Sequence, residues 1–302
     1  MFFVVHVSHL EPFQAACGEN FSVLLDENGI MYSAGLSEFG QLGNGETGEY
    51  FIAANKLGFA NSLRFERRSR FVHKPPTSDA VVSLPDSERI RIASIACGKN
   101  HTVAVEAMSR DRSQTPRVFT WGCGGYGVLG HNVQADEYTP RLVSGMVGPL
   151  FQNNHPVKAA AGSHCSMILT ENGHVYYSGK HRSVGESAMR PKLLDDLANN
   201  MHVVTALSGG SETIFMTTKN GVTVSSGKGQ HGELGYGIGN PKSSAQTKFV
   251  DKLDQVIVTD LACGYGHTLF LIRNEDAEDK KALEKMSRLE SNDVAAFVKK
   301  WS

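Results

Sequence analysis

The chain has 302 residues, 30 of them basic and 31 acidic, and a formal net charge of −1. That length can bury a large core, and the balanced charge offers no global basic field for nucleic acid. Five cysteines without close pairing argue against a disulfide framework and fit a reducing compartment.

The first apolar stretch, Phe2–Val5, is short and lacks the basic leader and small-residue cleavage site of a targeting signal. No apolar run approaches the roughly 20 residues that span a bilayer. From residue 18 onward one pattern returns five times: a glycine, three variable residues, a serine or threonine, then an apolar run. The pairs are Gly18 and Ser22, Gly98 and Thr102, Gly162 and Ser166, Gly209 and Thr213, and Gly264 and Thr268. Recurrence at this spacing signals an array or a propeller. Cys17, Cys97 and Cys263 stand just before the repeat glycine, a phase that assigns them a packing role as small buried residues. The hydroxyl column is expected to bond the backbone of a neighbouring turn, because a buried hydroxyl needs a partner.

Each apolar run reads as a strand. In three repeats it leads into Asn28-Gly29, Asn172-Gly173 and Asn220-Gly221. That dipeptide signals a hairpin with positive φ at both turn residues. A short, half-buried strand then runs to Gly35, Gly179 and Gly227. The second repeat replaces its hairpin by a polar loop from Glu106 to Pro116, ahead of Val118–Gly122. A third element, Gly40-Gln-Leu-Gly43, Gly127-Val-Leu-Gly130 and Gly232-Glu-Leu-Gly235, reads as a tight turn pinned by its leucine, and the third repeat has lost it.

Two segments do not read as blade. About residues 58–91 form an inserted basic loop with Arg64, Arg67, Arg68, Arg70, His73 and Lys74 before Pro75-Pro76. It is either a solvated insertion or a docking loop for an acidic surface, nucleic acid or microtubules. The charged tail, 275–302, carries Leu283, Met286, Leu289, Val294, Phe297, Val298 and Trp301 at helical spacing. It reads as two short helices packed on the propeller side, with an Asn or Asp near 292 capping the second.

The run Ala-Cys-Gly-x-x-His-Thr, followed by Trp-Gly-x-Gly-x-x-Gly-x-Leu-Gly, resembles the regulator of chromosome condensation repeat. Trp121–Val143, Glu186–Leu197 and Gly232–Gln246 narrow the resemblance to the telophase-disk branch of that family. The resemblance implies an all-β fold over 1–274, a β-propeller of four-stranded antiparallel blades. The family carries about seven blades and this chain about four to five, within the range that propellers span. The chain would then be its C-terminal portion in an open or incomplete ring, or a reduced propeller that closes on fewer blades. The resemblance further implies binding to a small GTPase of Rac, Arf, Ral or Ran type. Guanine nucleotide exchange would follow, in mitosis, chromosome segregation or cytoskeletal signalling, in nucleus and cytoplasm. The alternative is an interaction scaffold for microtubules or chromatin without exchange activity.

No cofactor, metal or covalent chemistry is expected. Gly122-Cys-Gly-Gly-Tyr-Gly127 matches a dinucleotide formula, but no helix or acidic partner follows at the required distance. His101 and His267 share one repeat column with Phe21, Cys165 and Glu212, and a ligand set would not tolerate phenylalanine there. No Cys-x-x-Cys or His-Glu-x-x-His spacing occurs.

Overall fold

The computed structural model describes residues 12–53, 56–75, 80–180, 186–198, 202–237 and 243–286. The first sheet orders β1 (Pro12–Cys17), β2 (Phe21–Asp26), β3 (Met31–Leu36) and β6 (Asn61–Arg68) side by side. Between β3 and β6 the chain leaves to make a separate two-stranded ribbon, β4 (Glu49–Ala53) and β5 (Lys56–Phe59). The second blade holds β9 (Ile92–Cys97), β10 (His101–Glu106), β11 (Val118–Gly122) and β12 (Glu137–Leu142). Outside β12 the same sheet adds β7 (Val72–His73) and β8 (Val82–Ser83). The third blade is β13 (Pro156–Gly162), β14 (Cys165–Thr170), β15 (Val175–Gly179) and β16 (Ala188–Leu193). A short helix, α1 (Asp195–Ala198), leads to the fourth blade of β17 (Val204–Gly209), β18 (Thr213–Thr218), β19 (Thr223–Lys228) and β20 (Ser243–Phe249). A half-blade of β21 (Val258–Cys263) and β22 (Thr268–Ile272) follows, then α2 (Ala277–Glu284). These are antiparallel propeller blades, four full and one half among the described residues.

The core lies between blades. Phe21, Val23, Leu25 and Met31 of the first blade pack on Ile92, Ile95 and Ala104 of the second. Val103 and Val105 pack on Ala159, Ala161 and Ile168. Met167 and Leu169 pack on Leu207, Ile214 and Met216. Phe215 packs on Leu261 and Phe270. β10, β14 and β18 are covered on both faces, which is why their central residues, Val103–Val105, Met167–Leu169 and Ile214–Met216, are apolar without alternation. Lys158 of the third blade reaches Asp260 of the half-blade at 2.8 Å, an ion pair that skips the fourth blade.

The hairpins differ from the expected turn. Gly29, Gly173 and Gly221 have φ of 74°, 77° and 75°, whereas none of the preceding asparagines has positive φ. Gly29 N–H bonds the Asp26 carbonyl and Asp26 N–H bonds the Ile30 carbonyl. This is a three-residue loop, a type I turn closed by a left-handed glycine.

The basic segment is not one loop. Asn61–Arg68 is the outer strand of the first blade, with Arg67 opposite Tyr32 and Arg68 opposite Met31. An edge strand is solvated along its free side and tolerates charge, so its arginines concealed it. The chain then straps the second blade: Phe71 and Val72 are buried and the Phe71 ring lies 4.7 Å from that of Phe119. The tail's first helix is present as α2, capped by Asp276 in a capping box with Asp279. Ala282 is buried beside Leu253 and Val258. The second expected helix lies outside the described residues.

Candidate interaction surface

The repeat glycine is required by the residue three positions later. A Cβ on Gly18 would overlap the Phe21 ring, and on Gly98 or Gly264 the imidazole of His101 or His267. The same space is filled by Cys165 over Gly162 and by Thr213 over Gly210. Strand pairing agrees: Phe21, His101, Cys165 and Thr213 stand opposite Gly35, Gly122, Gly179 and Gly227. The fourth repeat is therefore one residue out of the register read from sequence. Gly210, not Gly209, is the repeat glycine, Thr213 replaces Glu212 in the aromatic column, and the hydroxyl position is taken by Ile214.

Two of the remaining four hydroxyls act between blades, as expected of the whole column. Thr102 Oγ1 donates to the Gln41 carbonyl of the preceding Gly-x-Leu-Gly turn at 3.2 Å, and Thr268 Oγ1 donates to the Glu233 carbonyl at 3.0 Å. Trp121 Nε1 also donates to Gln41 O, and Ser178 Oγ to Val128 O. With Val128 O taken, Ser166 Oγ is buried without a partner among the described residues, as is Thr213 Oγ1. Among the described residues no blade precedes that of Ser22, and its hydroxyl lies 3.6 Å from Cys17 Sγ. Within the first, second and fourth blades a second hydroxyl holds the leucine carbonyl of the same turn: Ser33 to Leu42, Thr120 to Leu129 and Ser225 to Leu234. A neutral hydrogen bond adds about 1 kcal/mol net, while a large apolar side chain buried between blades adds about 2. Burial holds the blades together and the hydroxyls set their register.

The five repeat turns converge around a cavity of about 560 Å³. Its charges alternate: Lys99 with Glu19 at 3.5 Å and Lys228 with Glu212 at 3.4 Å. Beside it, Tyr126, His164, Lys180, Glu212 and Lys228 line a 340 Å³ cleft between the third and fourth blades. The Tyr126 and His164 rings meet edge to face at 5.0 Å. Burial, with Lys99 and Lys180 nearby, holds the His164 imidazole below its usual range. Burial pushes the Cys97 thiol far up and the Cys165 and Cys263 thiols to about 11, which suppresses the thiolates that would be nucleophiles. Cys17 departs from the packing role and is exposed, with no blade against it among the described residues. No group of three metal-ligating side chains occurs among the described residues.

The arginines proposed for a partner divide. Arg68 is buried at 8 % exposure, its Nε donating to Ser33 Oγ at 2.6 Å and Leu42 O at 2.9 Å. It braces the turn and is not available to a partner. Arg64, Arg67 and Arg70 are exposed, as is Lys74. Arg70 reaches Ser83 Oγ at 3.4 Å. Just before this row in the chain comes the β4–β5 ribbon, which sequence reasoning missed. It presents Tyr50 and Ile52 at 51 % and 52 % exposure, and neighbouring Leu63 of β6 is 74 % exposed. The signal was two short apolar runs, Tyr50–Ile52 and Leu57–Phe59, on either side of Asn55.

Models of the regulator of chromosome condensation repeat match residues 28–105 and 117–169, and 14–41. RCC2 of Mus musculus is 34 % identical over 273 residues, covering 90 % of this chain and 49 % of the relative. The RCC2 homologue of Danio rerio is 34 % identical over 275 residues, 90 % of this chain and 52 % of the relative. The chain thus spans about half the length of the curated relatives it matches. Among solved structures, human WBSCR16 superposes with a TM-score of 0.66 at 20 % identity, covering 89 % of this chain and 60 % of that one. Prp20p of Saccharomyces cerevisiae, studied for its binding properties to Gsp1p and histones, gives 0.60 at 20 % identity, covering 93 % and 60 %.

Proposed function

The chain belongs to the regulator of chromosome condensation repeat family, in its RCC2-like branch, and from that premise we propose that it binds a small GTPase and regulates its nucleotide state during the cell cycle. The observation that carries this reading is the ribbon. It departs from the blade template, forms its own sheet, and holds Tyr50 and Ile52 half exposed, in the chain just ahead of the strand that carries the exposed Arg64 and Arg67. Aromatic and arginine anchors at a protruding edge suit a protein partner. Yeast Prp20p, of the same fold, was studied with Gsp1p and histones. Regulation here needs no covalent step. A surface that binds the nucleotide-free GTPase better than the loaded form shifts the equilibrium by that difference.

The test is stopped-flow release of labelled GDP from a panel of Rho, Arf, Ral and Ran GTPases. Acceleration by the chain, reduced by Tyr50→Ala and Ile52→Asp, supports exchange. Release at the intrinsic rate with micromolar protein defeats it. A second reading rests on the exposed row Arg64, Arg67 and Arg70, which fits an acidic partner such as microtubules or a chromatin protein. Charge reversal of that row should abolish pelleting with microtubules, and unchanged binding removes the row from the account.

A further inference from the structure

Three repeats seat a ring over the repeat glycine: Phe21 over Gly18, His101 over Gly98 and His267 over Gly264. The third and fourth repeats put only Cys165 and Thr213 in that space, and both line the 340 Å³ cleft between their blades. The cleft thus lies where two consecutive repeats have given up the ring. Thr213 is 2 % exposed, and its Oγ1 has no hydrogen-bond partner among the described residues. A buried hydroxyl left unpaired at the floor of a cleft marks a place for a polar atom of a ligand.

The mouth draws on three blades. Tyr126 of the second is half exposed, with φ of 58°, a left-handed conformation that a tyrosine rarely adopts. Phe39 and His231 hold the same place in the first and fourth blades without positive φ, and their N–H groups donate to the side chains of Gln41 and Glu233. The second blade has Val128 there. The Tyr126 N–H turns to Gln134 Oε1 instead, and its ring stands edge to face with His164 at the cleft. Lys180 and Lys228 also line the cleft, and among the described residues only Lys228 meets a carboxylate, that of Glu212 at 3.4 Å. Two ammonium groups against one carboxylate leave the mouth positive.

The geometry points to this cleft as a site for an acidic peptide that inserts a tyrosine. The tyrosine ring takes the place that Phe21 and His101 fill in their own blades. Its hydroxyl pairs with Thr213 Oγ1, and the flanking carboxylates meet Lys180 and Lys228. An aromatic anchor in a small pocket with a charged rim is the usual economy of such contacts. The third and fourth blades are described with all four strands each, and the site does not rest on the GTPase reading.

Fluorescence polarisation tests it, with the full chain and a fluorescein-labelled pentapeptide that carries one tyrosine between two pairs of aspartates. The wild type should bind it saturably. Alanine in place of the peptide's tyrosine, or lysines in place of its aspartates, should remove binding, and phenylalanine should weaken it several-fold. Tyr126→Ala should weaken binding about tenfold, as loss of an aromatic anchor does, and Lys180→Glu at least as much. Thr213→His gives the fourth blade the ring of the second and should abolish binding by occupying the seat. Circular dichroism checks each fold, and the two variants at the mouth carry the test if Thr213→His does not fold. No saturable binding up to millimolar protein overturns the site. Equal binding of the lysine peptide overturns the acidic partner, and equal binding of the phenylalanine peptide overturns the tyrosine. Mouth variants that bind as the wild type does place the peptide elsewhere and overturn the proposal.

Discussion

Thr102 of the second blade donates its hydroxyl proton to the carbonyl of Gln41 in the first, 3.2 Å away, and the Trp121 indole donates to the same oxygen at 3.0 Å. One buried carbonyl therefore carries two donors from the next blade. Thr102→Val should lower unfolding stability by about 1 kcal/mol, since the carbonyl keeps the indole. Trp121→Phe removes the other donor and adds a packing loss of its own. The double variant should lose more than the sum, because only then is a buried acceptor left unpaired. Urea denaturation of the four proteins measures the coupling, and strict additivity would contradict the shared acceptor.

The second prediction isolates the close approach at the repeat glycine. Gly98→Ala places a methyl against the His101 ring and the Gly162 carbonyl, whereas Gly125→Ala meets only Cys123 Sγ at 3.6 Å. Neither glycine has a positive φ, so the comparison reads space alone. Gly98→Ala should cost about 1–3 kcal/mol, as overpacking does, and Gly125→Ala should stay within about 0.5. Thermal melts of both settle the order.

How far this was legible follows from the same column. The hydroxyl phase was readable at Thr102 and Thr268, where the preceding turn has its own Gly-x-Leu-Gly pattern, and not at Ser166, which is buried without a partner among the described residues. The fourth repeat was not, because Gly209-Gly210 offers two glycines and Thr213 a misplaced hydroxyl. Only the pairing of Thr213 with Gly227 decides between them. The outer strand β6 was hidden for a different reason. A strand at a sheet edge need not alternate, and Arg67 and Arg68 look alike in sequence although one is solvated and the other braces Leu42.

That difference is the third prediction. Arg68→Ala removes charge-assisted bonds to Ser33 and Leu42 and should cost about 2–3 kcal/mol. Arg64→Glu and Arg67→Glu should leave stability within about 0.5 kcal/mol. Chemical denaturation distinguishes them, and only the latter pair is suitable for binding assays.

The fourth concerns acid. Burial holds His101 neutral to about pH 4 and His131 to about pH 3, below the ~6.5 of an unfolded histidine. Between those values the unfolded chain binds protons that the folded chain refuses. Stability from this source is intact above ~6.5 and falls as the pH drops, by about 1.4 kcal/mol per unit for each histidine. His101→Phe, the residue that the first blade uses at Phe21, should remove one proton from that slope between about pH 6 and 5. Unfolding free energies across pH for the two proteins provide the comparison, and parallel slopes would show that His101 titrates normally.

The hydroxyl latch runs in one direction only, from a second strand back to the turn of the blade before it. Opening one boundary does not unpair a hydroxyl at the next, so, the exposed Lys158–Asp260 pair apart, the blades form a one-dimensional stack coupled through nearest neighbours. Such a stack frays from its ends. Amide exchange should be slowest in β10 and β14, which have a blade on either side, and fastest in β22, which has one.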